Sequence, residues 1–102
     1  MYMGQDEIIL KVKEAVAKDP QKDVIKSISL FGSFLHGDNT DKSDVDLLFE
    51  SKSDISYFTL FAIQDRIAKE IGRPVELLTK EELSKYFRDK VVKEAKKIYQ
   101  ND

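Results

Sequence analysis

The sequence predicts a small α/β (α+β) domain in which a mixed β-sheet packs against helices. Helix-like and strand-like apolar patterns follow one another in the order α-β-β-α-β-α. Two of the strand patterns are joined by a short loop, so at least part of the sheet is expected to be antiparallel. The chain has 102 residues, of which 41% are hydrophobic. This length suits one domain over 1–102 with a small core.

The first helix is predicted over 5–18, where apolar residues recur at helical spacing: Ile8, Ile9, Val12, Ala15 and Val16. Asp19-Pro20 ends this helix, because the residue before a proline avoids helical geometry. The first strand is predicted over 24–31, a β-branched and aromatic run that stops at Gly32. A single helical turn is expected over 33–36.

The second strand is predicted over 45–50, with Asp44 at its entry. A helix over 55–71 follows, with Ser53 or Asp54 as its N-cap. Its apolar face is formed by Ile55, Phe58, Phe61, Ala62, Ile67 and Ile71. Gly72-Arg73-Pro74 is predicted to end this helix.

A short third strand is predicted over 75–78. Thr79 and Glu82 have the spacing of a capping box, in which each side chain satisfies a backbone donor of the other residue. A last helix, broken near Ser84, is expected to run to about Tyr99. Its buried side would carry Val91, Val92, Ala95 and Ile98.

Composition excludes several classes of protein. The formal charge of −2 gives no sign of direct nucleic-acid binding or of an anionic membrane surface. The chain has no Cys, so disulfides and thiolate metal sites are excluded. No signal peptide is visible, and no apolar run approaches the ~20 residues that span a bilayer. We therefore expect a soluble, cytoplasmic protein.

The charge is unevenly distributed along the chain. Residues 38–54 hold six acids and two bases, whereas residues 80–97 hold seven bases and four acids. An acidic centre beside a basic tail indicates a metal site near a surface that tolerates anions. The alternative for the tail is a solvated helix face.

Asp44 and Asp46 are two residues apart at the start of a predicted strand, so their side chains share one face. Two adjacent carboxylates repel each other, and burying them without a cation is costly. Mg²⁺ would relieve this repulsion, since it takes one or two carboxylates and completes its shell with water and phosphate oxygens. If the pair is considered without its neighbours, the alternative is that one aspartate caps a strand end or turn and the other faces water. A calcium loop counted from Asp38 lacks the required Gly and Glu.

Other candidate residues lie on either side of this pair. Glu76 could complete a two-metal site or accept a proton from an attacking hydroxyl, or it could be solvated or pair with Arg73. Gly32-Ser33 could approach a phosphate closely at the start of a helical turn, or could be an ordinary turn. His36, the only histidine, could contact a nucleotide or partner or be incidental.

The spacing of these candidates is more specific than any one of them. Gly32-Ser33, ten intervening residues and Asp44-Val45-Asp46 resemble the signature of the DNA polymerase β-like nucleotidyltransferase superfamily. The wider strings at 30–37 and 43–48 resemble its minimal nucleotidyltransferases (MNT), which are often paired with a HEPN-domain protein in prokaryotic toxin–antitoxin modules. The resemblance continues through 75–79 and 82–99.

The resemblance implies that Asp44 and Asp46 bind Mg²⁺, as two ions, and that Gly32 and Ser33 hold ATP or another nucleoside triphosphate. Glu76 falls where the family usually has Asp, as the third catalytic and metal-binding carboxylate. The implied activity is transfer of AMP from ATP to a hydroxyl, namely a tyrosine of a HEPN toxin, by which this chain acts as the antitoxin.

Two alternatives accompany this prediction. The chain could be a non-catalytic antitoxin that neutralises a HEPN ribonuclease by contact. Transfer to a small molecule is a weaker alternative, because relatives of that type usually carry a further substrate-binding domain. The expected partner is thus a HEPN-domain toxin, and neither nucleic acid nor membrane is expected to bind directly. The oligomeric state is left open, a homo-oligomer included.

Overall fold

The computed structural model describes residues 4–101, in which helices and strands alternate along the chain. In chain order they are α1 (Gln5–Lys18), β1 (Ile25–Phe31), α2 (Ser33–His36), β2 (Val45–Ser51), α3 (Tyr57–Ile71), β3 (Val75–Thr79), α4 (Arg88–Glu94) and β4 (Lys96–Gln100). Short 3₁₀ turns at Lys22–Val24 and Lys80–Glu82 precede β1 and follow β3. Most predicted elements are confirmed to within two residues.

The strands form one mixed sheet in the order β3-β2-β1-β4. Strand β1 is antiparallel to both β2 and β4, whereas β2 and β3 are parallel. The mixed sheet and its antiparallel part are therefore as the sequence predicts. Because β2 and β3 are adjacent, Asp46 is paired directly with Glu76.

The two faces of the sheet differ in polarity because successive side chains point to opposite sides. The inward side chains of the strands join α1 and α3 in one core, whose buried members include Ile8, Val12, Val16, Ile28, Leu30, Leu47, Ile63, Ile67 and Leu77. The outward positions of β1 to β3 carry Ser27, Ser29, Asp46, Leu48, Glu50 and Glu76. We call this second surface the open face. It carries two of the three predicted catalytic carboxylates.

The prediction of a last helix running to about Tyr99 is wrong. Helix α4 ends at Glu94, and Ala95 is extended with φ −57° and ψ 136°. The following residues pair with β1 as the edge strand β4, with Tyr99 opposite Ile28. Ile98 is buried, but as a strand residue, whereas Val92 is 38% exposed. The free edge of β1 provides hydrogen-bond partners that outweigh a local helical pattern.

Two helix starts also differ from expectation. Ser56, not Ser53 or Asp54, caps α3, and its Oγ accepts a hydrogen bond from the backbone N–H of Thr59 at 3.2 Å. The capping box of Thr79 and Glu82 is present, but it closes the 3₁₀ turn after β3 rather than a long helix. Gly72 ends α3 as predicted, with φ 74°. Within residues 4–101, no helix combines the length and apolar character that crossing a membrane would require.

Candidate active site

The antiparallel pairing of β1 and β2 brings the two halves of the predicted motif together. Strand β1 ends where β2 begins, and Phe31 is paired with Asp46. Gly32 and Ser33 follow Phe31, and Asp44 precedes β2. The ten residues that separate the two halves in sequence form α2 and a loop, so the predicted phosphate turn lies beside the predicted metal ligands.

Gly32 lies directly against the carboxylate of Asp46. A β-carbon built on Gly32 would overlap Oδ2 of Asp46 and lie 3.0 Å from its Cγ. Gly32 also has φ 76° and ψ −152°, a region of backbone conformation that is essentially restricted to glycine. Two independent constraints therefore require glycine at this position.

The carboxylates interact electrostatically. Burial, followed by the negative charges of Glu76 and Asp44, raises the pKa of Asp46 from 3.8 to about 6. Both neighbours disfavour the ionised form of Asp46 because they carry the same charge. A cation would remove this penalty, and a set of carboxylate oxygens suits a hard ion such as Mg²⁺.

The carboxylates do not form a ready three-ligand site. No group of three or more His, Cys, Asp or Glu side chains in the described part of the chain is placed to hold a metal ion. Asp44 and Asp46 fit the way Mg²⁺ is commonly bound, with one or two carboxylates and the remaining ligands from water and phosphate. The role of Glu76 as a metal ligand stays a prediction. Its side chain is exposed beside Asp46 on the open face.

The short helix α2 is held by a residue that the sequence analysis missed. Gln5, the first residue of α1, donates from Nε2 to the carbonyl oxygens of Phe34 at 3.0 Å and Leu35 at 3.1 Å. These bonds satisfy carbonyl groups that lack partners within a helix of one turn. No local pattern marks Gln5, since its partners lie 29 and 30 residues further along the chain.

His36 faces α4 at the surface. Its Nε2 lies 3.4 Å from Oε2 of Glu94, an ion pair whenever the imidazole is protonated. Among the cavities found in residues 4–101, one of about 260 Å³ is lined by Phe31, Gly32 and His36. A larger cleft of about 560 Å³ runs over Ser29 and Leu48 on the open face. Both cavities adjoin α4, and the smaller one adjoins the predicted phosphate turn.

Comparison with known proteins identifies the class of protein that this fold and site define. Residues 11–102 match the family described as "Polymerase beta, Nucleotidyltransferase", and the chain belongs to this family of nucleotidyltransferases. Two proteins of Methanocaldococcus jannaschii named "putative protein adenylyltransferase" are 30% and 31% identical over 86 and 88 residues. Each match covers 84% of this chain and 86% of the relative.

Solved structures confirm the fold. One described as a putative minimal nucleotidyltransferase has a TM-score of 0.75 at 21% identity, covering 92% of this chain and 95% of the other. A toxin–antitoxin structure with AMP-PNP has a TM-score of 0.69 at 19% identity, covering 98% of this chain and 76% of the other. A structure of a tri-AMPylated HEPN toxin of Shewanella oneidensis in complex with MNT antitoxin has a TM-score of 0.66 at 17% identity. That match covers 95% of this chain and 73% of the other. The family match confirms the predicted membership of the polymerase β-like nucleotidyltransferases, and these structures show the same fold.

Proposed function

We propose that this nucleotidyltransferase transfers AMP from ATP to a tyrosine hydroxyl of a HEPN-type toxin, and that it acts in the cytoplasm as the antitoxin. The close contact between Gly32 and Asp46 carries the proposal, because it sets a phosphate-binding turn against a carboxylate with a raised pKa. The proposal is supported by the adenylyltransferase names of the relatives and by the AMPylated HEPN toxin in a solved complex of similar fold.

In this proposal, Gly32 and Ser33 bind the triphosphate. The absence of a side chain at Gly32 makes room for the Asp46 carboxylate beside the turn. The Ser33 hydroxyl and the backbone N–H groups of the turn are the donors for phosphate oxygens. These residues lie at the start of α2, and the N-terminus of a helix favours an anion. The AMP-PNP in a solved toxin–antitoxin structure of similar fold supports a nucleotide of this kind.

Asp44 and Asp46 would hold the Mg²⁺, as two ions, with water and phosphate oxygens completing the coordination. When bound, the metal supplies positive charge that offsets the charge of the phosphates and polarises them. The raised pKa of Asp46 supports this assignment. Burial and the two neighbouring carboxylates make the negative charge of Asp46 unfavourable, and a bound cation would offset it.

Transfer then requires one proton acceptor and one leaving group. The acceptor oxygen forms a bond to the α-phosphorus, and the bond from that phosphorus to the β-phosphate oxygen breaks. Pyrophosphate leaves with the electron pair, and the hydroxyl proton passes to Glu76. Glu76 is exposed to solvent on the open face, so a protein side chain can reach it.

Labelling tests the proposal directly. The chain is incubated with ATP labelled at the α-phosphate, Mg²⁺ and a HEPN-type protein that co-purifies with it. We expect label on the partner, and its loss when the acceptor tyrosine is changed to Phe or when Asp44→Ala and Asp46→Ala are combined. Asp54→Ala, an exposed acid of the same acidic segment, is the matched control and should label normally. An unlabelled partner would refute the transferase proposal.

One observation favours a second function, a non-catalytic antitoxin that blocks a HEPN ribonuclease by contact. By the resemblance, Glu76 stands where the family usually has Asp as its third carboxylate. Protection of cells from the partner separates the two functions. If the variant with both Asp44→Ala and Asp46→Ala still protects cells, contact is sufficient. If protection is lost while the complex still forms, transfer is required.

A further inference from the structure

Arg73 is a buried cation at the entry to β3. It is 8% exposed, and its backbone N–H bonds to the carbonyl of Ala68 in α3. The next residue, Pro74, accepts a hydrogen bond of 2.9 Å from the backbone N–H of Val45, the first residue of β2. Since burial of a guanidinium is costly unless it is well bonded, its contacts indicate why it is there.

The guanidinium of Arg73 holds the loop that leads to Asp44. Its Nη1 donates to the carbonyl oxygens of Ser43 at 2.9 Å, Asp41 at 3.2 Å and Thr40 at 3.3 Å. Ser43 is the residue immediately before Asp44. The loop is also closed on itself, because Ser43 Oγ accepts from the Thr40 N–H at 2.8 Å. Arg73 therefore fixes a compact turn whose last residue carries a predicted metal ligand.

The same guanidinium contacts the other half of the motif. Its Cζ lies 5.3 Å from the centroid of the Phe34 ring, within the range of a cation–π contact. Phe34 is fully buried and follows Ser33 in α2. One side chain thus connects the helix that follows the phosphate turn with the loop that precedes the carboxylates.

We propose that Arg73 is a positioning residue that sets the relative placement of Gly32-Ser33 and Asp44/Asp46. The catalytic meaning of this placement rests on the proposed function, whereas the ordering of the loop does not. A lysine cannot replace Arg73, because it lacks the planar guanidinium that both stacks on a ring and presents several donors. A misplacement of about 1 Å in a reacting group can cost about 100-fold in rate.

Three variants test this proposal. Arg73→Met keeps the apolar stem and removes the donors, whereas Arg73→Lys keeps the charge without the planar group. Arg66→Met is the matched control, because Arg66 also makes three hydrogen bonds, to Asp19 and Gln21 in the segment between α1 and β1. That location is at the opposite end of β1 from Gly32.

Amide hydrogen exchange provides a readout that does not depend on activity. Arg73→Met should raise exchange at residues 40–45 by about 10-fold or more, and Arg73→Lys should also fail to protect them. In α3 both variants should exchange as the wild type does. Arg66→Met should leave residues 40–45 unchanged. Protection of the loop in Arg73→Met equal to that in the wild type would overturn the proposal. If Arg73→Met does not fold, Arg73→Lys carries the same measurement.

Kinetics supply the second readout. We expect Arg73→Met to lower kcat for AMP transfer by about 10- to 100-fold. We also expect it to raise the Mg²⁺ concentration for half-maximal rate several-fold, with Arg66→Met unchanged in both. An equal loss in both variants would assign Arg73 a role in folding only. If the wild-type chain transfers no AMP, the proposed function fails, and the exchange experiment still decides the role of Arg73.

Discussion

The backbone of Gly32 lies so close to the carboxylate of Asp46 that a single methyl group on Gly32 would overlap Oδ2. The end of β1 and the start of β2 are thus in direct contact and form a single site. Because this contact joins the predicted phosphate turn to a predicted metal ligand, a change on one side should be measurable on the other.

Gly32→Ala should reduce nucleotide and metal binding together. The added methyl group displaces Asp46, and the backbone conformation of Gly32 adds strain of about 1–3 kcal/mol. We expect AMP transfer to fall by at least about 10-fold, with weaker binding of the ATP analogue in calorimetry. Gly37→Ala provides the comparison, since Gly37 has a similar φ of 78° but nothing within 4 Å of an added Cβ. Equal loss of binding in the two variants would show that the contact of Gly32 with Asp46 is not the cause.

Asp46→Asn should stabilise the metal-free protein at neutral pH. The folded pKa of about 6 lies above the ordinary value of 3.8, so the folded state binds the proton more tightly than the unfolded state. Stability therefore falls as pH rises from 3.8 to about 6, and the full penalty is present above this range. After allowance for solvent screening, removing the charge should raise the free energy of unfolding by about 1–2 kcal/mol.

Urea denaturation in the presence of a chelator measures this difference for Asp46→Asn and for the exposed control Asp54→Asn. The gain should disappear below the ordinary carboxyl pKa, and the control should match the wild type throughout. Mg²⁺ should raise the Tm of the wild type but not that of Asp46→Asn. A less stable Asp46→Asn protein at neutral pH would contradict the electrostatic account of this site.

Glu76→Gln should impair turnover more than binding. The amide cannot accept the hydroxyl proton, and loss of a general base typically costs about 100-fold or more. We expect kcat to fall accordingly, with the Kd for an ATP analogue changed by no more than a few-fold. Glu50→Gln, on the same open face near the far end of β2, should retain activity. If Glu76→Gln transfers AMP at the wild-type rate, Glu76 is not the base.

Gln5→Leu should loosen α2 without disturbing the carboxylates. Two hydrogen bonds to the carbonyl oxygens of Phe34 and Leu35 are lost, at a cost of about 1–2 kcal/mol in stability. Binding of the ATP analogue should weaken several-fold because Ser33 begins this helix. Asn101→Leu is the control, since Asn101 also donates from its side-chain amide to a backbone carbonyl, that of Lys22, away from α2. Comparable weakening in the control would argue against a specific role for Gln5.

The local patterns of the sequence determined most of the fold and the identity of the site. Helical spacing identified α1 and α3, and β-branched runs identified β1 to β3, because these periodicities depend on residues close in sequence. Alternation along a strand predicted that Glu76 lies on the opposite side of its strand from Val75 and Leu77, and the pairing of β2 with β3 then put it beside Asp46. The spacing from Gly32-Ser33 to Asp44/Asp46 identified the family, which comparison then confirmed.

Only the tertiary structure decided which distant groups meet. The edge of β1 made a strand of Lys96–Gln100, where local spacing favoured a helix. The contact of Gly32 with Asp46, the clamp of Gln5 on α2 and the bonds of Arg73 to the loop join residues 14 to 33 positions apart. A periodic pattern specifies which side of an element is buried, but not which backbone group or side chain it will meet, because that depends on the packing of the whole chain.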